Sequence, residues 1–172
     1  MLATTHFVAT TSLLLIARQL GMTLTREAII LSYTFGNLID LDHLFLYPQK
    51  SLIAARDFLA SKLHRKKFYY QSGKYCLHSY LQEPWFAVIM GLAALILYFI
   101  FQNKILILPA LALSVHVVMD GLTKFANYLF WPFSKKPLIG WLPSNTLAEY
   151  VSSIILSILV IYLSFKTGLF NL

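Results

Sequence analysis

The sequence predicts an all-α, polytopic membrane helix bundle, with four or five transmembrane or membrane-buried helices and a basic cytoplasmic connection. Three observations carry this expectation. Of 172 residues, 58% are hydrophobic and only 12% are charged, about half the ~25% charge of an ordinary soluble domain. Mean hydropathy is +0.67, and the chain holds 13 Phe, 10 Tyr and 3 Trp. The apolar residues are gathered in runs that approach the ~20 residues needed to cross ~30 Å of hydrocarbon. Disordered, collagen-like and water-soluble globular classes are thereby excluded. The length suits one domain, so residues 1–172 read as a single membrane-embedded unit.

Five apolar segments follow in order. Met1 to Ala17 is interrupted only by His6 and several threonines, and it has no Lys or Arg ahead of it, so it reads as part of the mature fold. Ala28 to Pro48 is apolar except for Asp40, Asp42 and His43 near its end. Trp85 to Phe101 is 17 residues without a charge, and Tyr150 to Phe165 is 16. Ile105 to Leu122 is nearly as long but contains His116 and Asp120, with Pro109 in its first turns, where proline is tolerated. Between the second and third segments, residues 49–83 are rich in Lys and Arg. Within them Ser51 to Leu63 places Leu52, Ala55, Leu59 and Leu63 at helical spacing. An amphipathic interfacial helix and a solvated loop both fit that stretch. Cys76 is the sole cysteine, which excludes an intrachain disulfide and a cysteine-built zinc site.

Net charge is +7. The basic residues lie between apolar runs, which points to membrane lipids as partners rather than nucleic acid. Ten of them, Lys50, Arg56, Lys62, Arg65, Lys66, Lys67, Lys74, Lys124, Lys135 and Lys136, fall in two connections on one side. Four, Arg18, Arg26, Lys104 and Lys166, fall on the other. The positive-inside tendency makes the first side cytoplasmic. The N-terminus is then cytoplasmic and the C-terminus external.

On this topology the rare polar residues converge. His6, Asp40, Asp42, His43, His78, His116 and Asp120 come from four segments, yet all lie toward the cytoplasmic side. Ionisable groups in apolar helices are costly and mark a site or a compensating pair. Imidazole and carboxylate are ligands of zinc and similar divalent ions. His116 and Asp120 are i and i+4 and share a helix face, and Asp40 and His43 are i and i+3. Asp40 and Asp42 serve one site only if the helix ends or distorts there. Taken singly, each residue has a plainer reading. His116 and Asp120 fit an intrahelical hydrogen bond, His6 a surface histidine, Asp42 a helix N-cap, and His64 a solvated member of its basic run. Ser79 lacks the Gly-x-Ser-x-Gly surroundings of a nucleophile elbow.

The ordered pieces resemble the YdjM-like family of bacterial and archaeal inner-membrane proteins, described as metal-dependent hydrolases. The pieces are His6; Gly36-Asn37-Leu38-Ile39-Asp40-Leu41-Asp42-His43; Leu77-His78-Ser79; His116-Val117-Val118-Met119-Asp120 with Leu122-Thr123; and Phe130-Trp131-Pro132-Phe133. Two departures stand out. Ile39 takes the place of the family's usual proline, and Ser72-Gly73 stands where many members carry His-Arg-Gly. The resemblance implies a multi-pass inner-membrane hydrolase. The residue chemistry gives the expected ligands of a divalent metal ion, with zinc the expected identity, as His6, Asp40, His78, His116 and Asp120. Asp42 and His43 are expected to be further ligands or to hold and deprotonate water. The expected substrate is a small-molecule or lipid-linked ester or phosphoester. The rivals are a structural metal site or polar clamp without enzymatic activity, and, less favoured by the one-sided cluster, a transporter.

Overall fold

The computed structural model describes residues 3–41, 83–123, 126–127, 138–142 and 147–169, with isolated positions in 45–81 and 130–136. Among the described residues are five α-helices: α1 (Ala3–Gln19), α2 (Arg26–Gly36), α3 (Pro84–Phe101), α4 (Ile107–Leu122) and α5 (Leu147–Lys166). A 3-10 turn, Leu38–Leu41, follows α2. The chain is thus helical, as its apolar segments predict. One two-residue ladder, which those segments do not foretell, pairs β1 (Ala126–Asn127) antiparallel to β2 (Leu138–Ile139).

Local sequence explains the helix ends. Thr25 caps α2, its hydroxyl accepting from the Ala28 N–H at 3.2 Å. Proline at the first position opens α3, where its missing N–H is an orphan in any case. Gln102, at φ 54°, closes α3 in the left-handed region. Thr123 ends α4: its N–H and hydroxyl both donate to the Asp120 carbonyl, at 3.1 and 2.7 Å.

The second apolar segment is shorter as an α-helix than its hydropathy suggests. α2 stops at Gly36, with Asn37 as C-cap donating to the Tyr33 carbonyl, a Gly/Asn stop signal. Eleven residues span only ~16 Å, so α2 does not cross a bilayer as a straight helix. Among the described residues two helices, α3 and the Glu149–Lys166 part of α5, are long and apolar enough to cross; α4 is apolar but shorter. Length and composition thus mark, among these residues, two candidate crossings of the four or five expected. The stretch 51–63 lies largely outside the described residues, as do Asp42, His43, His64, His78 and Ser79.

Packing places α4 among α1, α2 and α3. α1 and α5 run parallel, since Thr4 meets Ser153 near one end and the Arg18 guanidinium donates to the Gly168 carbonyl near the other. Leu14, Leu15, Leu24, Ile29, Leu108, Val160 and Leu169 form the larger apolar core. A smaller one joins Ile39, Leu113 and Val117 to Phe35, Phe86 and Met90. Ile39, the departure from the family's proline, is spent on that core. Many buried residues are small or hydroxylated: Thr10, Thr11, Ser32, Ala112, Ser153 and Ser164. Close backbone approach and hydroxyl hydrogen bonds are how helices associate where lipid removes the hydrophobic incentive. α3 buries only Ala94 and exposes Leu92, Leu95, Ile96, Phe99 and Ile100. α5 exposes Ile154, Ile155, Ile158 and Phe165. Apolar surface of that extent belongs against lipid or protein, not water.

Candidate metal centre

Five helix ends that carry polar groups meet at one end of the bundle. They are the N-termini of α1, α3 and α5 and the C-termini of α2 and α4. The amphiphilic logic is simple: ionisable groups survive in apolar helices when they find each other.

His6 from α1 and His116 from α4 are both about 1% exposed, and their rings stack with centroids 4.1 Å apart and planes inclined by 23°. Asp120 reaches both. Its Oδ1 lies 3.2 Å from His6 Nε2, and its Oδ2 lies 3.3 Å from His116 Nε2. The i, i+4 spacing read from the sequence puts His116 and Asp120 on one face of α4, and α1 supplies His6 from across the interface. Ligand atoms of the three residues all lie within 4.8 Å of one another.

The backbone fixes the tautomer. His116 Nδ1 sits 3.0 Å from the Gly36 carbonyl, which can only accept, so Nδ1 carries the hydrogen. In a neutral imidazole Nε2 is then a lone pair, aimed at a carboxylate oxygen. Two electron-rich atoms at that distance repel unless a proton or a cation lies between them. Ring N–H to backbone carbonyl is also the usual outer support of a metal-bound histidine. For bonds of ~2.0–2.1 Å, the edge of a tetrahedron is ~3.3–3.4 Å, close to both His–Asp separations. The His6–His116–Asp120 group can therefore bind a metal ion.

Each ligand is held by packing. Gly36 has no room for a side chain: a Cβ there would overlap the Thr10 hydroxyl and come within 3.3 Å of Ala112 Cβ. Its carbonyl thus reaches His116 because α1, α2 and α4 converge on a glycine. The α4 end that bears Asp120 is strapped by residues 140–142. Gly140 N–H donates to the Thr123 carbonyl at 2.8 Å, and Leu142 N–H to the Leu122 carbonyl at 2.9 Å. A Cβ on Gly140 would overlap the Leu122 carbonyl group, so the strap also requires glycine. Asp120 keeps 20% of its side chain exposed, whereas both histidines are buried.

Of the sequence-predicted ligands, His6, His116 and Asp120 come together. Asp40 lies in the 3-10 turn that begins two residues after Gly36, so the helix does end before it. Asp42, His43 and His78 fall outside the described residues. Sequence reasoning passed over two acids at the same bundle end. Glu83 precedes α3 and is buried, and burial pushes its carboxyl up to about 7. Glu149, in the first turn of α5, accepts a hydrogen bond from the Thr5 hydroxyl at 3.2 Å. The signal that could have found both is the one used for the others, a carboxylate at the head of an apolar helix.

No curated protein and no solved structure matches the chain. The family model described as YdjM inner membrane protein matches residues 1–170, and the chain belongs to that family.

Proposed function

We propose that this inner-membrane protein is a metal-dependent hydrolase that acts on an ester or phosphoester, small or lipid-linked, at the cytoplasmic face of the membrane. The observation that carries the reading is the geometry around His116. Its Nδ1 is 3.0 Å from the Gly36 carbonyl and its Nε2 is 3.3 Å from an Asp120 oxygen, an arrangement completed by a cation between imidazole and carboxylate or by a proton. A divalent ion held by His6, His116 and Asp120 would supply Lewis-acid polarisation of the scissile bond and activation of water. The chain's residues do the rest. Gly36 orients His116, Asp120 bridges the two imidazoles, and the buried rings exclude bulk water from one side. We assign Asp40 and His78 as further ligands, and Asp42 and His43 to holding and deprotonating the attacking water.

The structural-clamp reading has one observation in its favour: the triangle joins α1 to α4, and Gly36 brings in α2. Metal analysis of protein purified in detergent tests the shared premise. The wild type should retain a divalent metal and His116→Ala should not. Wild-type protein free of divalent metal would remove both metal readings, the hydrolase and the structural metal site, and leave a metal-free polar clamp. A retained metal with a water-exchangeable position, together with metal-restored cleavage of chromogenic esters or phosphodiesters, separates hydrolase from clamp.

Several crossings, with the site facing the cytoplasm, are part of the proposal. Support comes from the ten-to-four division of basic residues and from the polar helix ends meeting at one end. In a Cys76→Ser background, a cysteine at Lys104 should react with an impermeant thiol reagent on intact cells, and one at Lys136 should not. Both lysines are exposed, so the opposite labelling pattern would invert the orientation.

A further inference from the structure

We infer that Glu149, acting through Thr5, is a positioning residue that holds the His6 imidazole in the metal triangle. The inference rests on the metal reading above. His6 lies in the first turn of α1, which begins at Ala3. The first four N–H groups of a helix lack intrahelical acceptors, so this is the turn most prone to unwind. A ligand placed there needs outside support.

α5 provides it. Thr4 and Ser153 hydroxyls lie 2.9 Å apart, and the Thr5 hydroxyl donates to Glu149 Oε1 at 3.2 Å. Glu149 and Ser153 are i and i+4, so they share the face of α5 that meets α1. The two threonines immediately precede His6. Successive helix positions turn by about 100°, so a turn gripped by α5 through Thr4 and Thr5 presents His6 on another face, where α4 stands. At its other end, the same helix pair is joined by Arg18 and the Gly168 carbonyl. The first turn of α1 is therefore clamped between α5 and the Asp120 face of α4.

A plainer role for Glu149 is to complement the positive end of α5. The two roles respond differently to substitution. Glutamine loses the charge but keeps an amide oxygen that accepts from Thr5; alanine loses both.

The test is cobalt(II) titration of the full-length protein in detergent, alongside ¹⁵N-histidine NMR of the metal-free protein. Glu149→Ala and Thr5→Val should each weaken cobalt binding about tenfold, the lower range for loss of an outer support. Combining them should add nothing, and Glu149→Gln should stay within about twofold of wild type. In the metal-free spectra, the His6 resonance should move in Glu149→Ala and Thr5→Val, while that of His116, anchored by Gly36, should not. Cobalt binding by Glu149→Ala equal to wild type would overturn the inference, as would Glu149→Gln as damaging as Glu149→Ala. If wild type binds no cobalt, the metal reading fails and the spectra alone decide: an unmoved His6 resonance, or both resonances moving alike, overturns the positioning role.

Discussion

Asp120→Ala is expected to strip the protein of its divalent metal and lower its thermal midpoint in the same step. Asp120 touches both histidines, at 3.2 and 3.3 Å. Two stacked imidazoles remain without it, with centroids 4.1 Å apart and no carboxylate shared between them. The loss of affinity should exceed the ~10–100-fold cost of removing an outer support. With free metal at about 100 times Kd, the ion contributes ~2.7 kcal/mol to the wild type. For a chain of this size that corresponds to a midpoint ~5–10 °C lower in the variant. A chelator should reproduce the shift in the wild type and do little to Asp120→Ala. His64→Ala, in the basic run, should change neither quantity. Equal behaviour of the two variants, or equal destabilisation of both by the chelator, would end the metal reading.

The sequence makes some parts of this arrangement legible because they are local. Charge-free runs mark α3 and α5 to within three residues at either end. The i, i+4 spacing of His116 and Asp120 is a property of one helix, and it survives intact. His6 could be added because residues stranded in apolar helices seek partners at the same depth. The supports were not legible, since each is a contact between distant segments made by a group that sequence does not distinguish. The Gly36 carbonyl that sets the His116 tautomer belongs to a backbone every residue has. Gly140 reads as an ordinary loop glycine until its N–H is seen on the Thr123 carbonyl. Glu149 reads as a helix-end charge until Thr5 is seen against it. Hydropathy alone overstates the length of α2 for a related reason. Leu38, Ile39 and Leu41 continue the apolar run past Gly36, but as a 3-10 turn whose Ile39 fills the core. Hydropathy registers burial and is blind to where the helical hydrogen bonds stop.

Gly36→Ala should damage fold and site together, and the damage should be reversible by a second substitution. The added methyl would overlap the Thr10 hydroxyl, with Thr10 Cγ2 at 3.2 Å and Ala112 Cβ at 3.3 Å. Thr10 is 2% exposed and hydrogen-bonded to Asn37 Oδ1 at 3.4 Å. A β-branched side chain has few χ1 choices in a helix, and this one is buried between helices, which limits its escape by rotation. α2 must instead back away from α1 and α4, at the ~1–3 kcal/mol typical of overpacking. The Gly36 carbonyl moves with it, away from His116 Nδ1. Metal affinity should therefore fall ~10–100-fold, as for loss of a histidine's outer partner, although no ligand has been touched. Thr10→Ala alone removes a long hydrogen bond and leaves the carbonyl where it is, so its effect on metal binding should be slight. Placed with Gly36→Ala, it deletes the atoms that the new methyl would strike and leaves only the Ala112 contact. A double-mutant cycle read by metal titration and thermal midpoint should then show strong positive coupling. Additive losses would mean that Gly36 acts through something other than the space it leaves for α1.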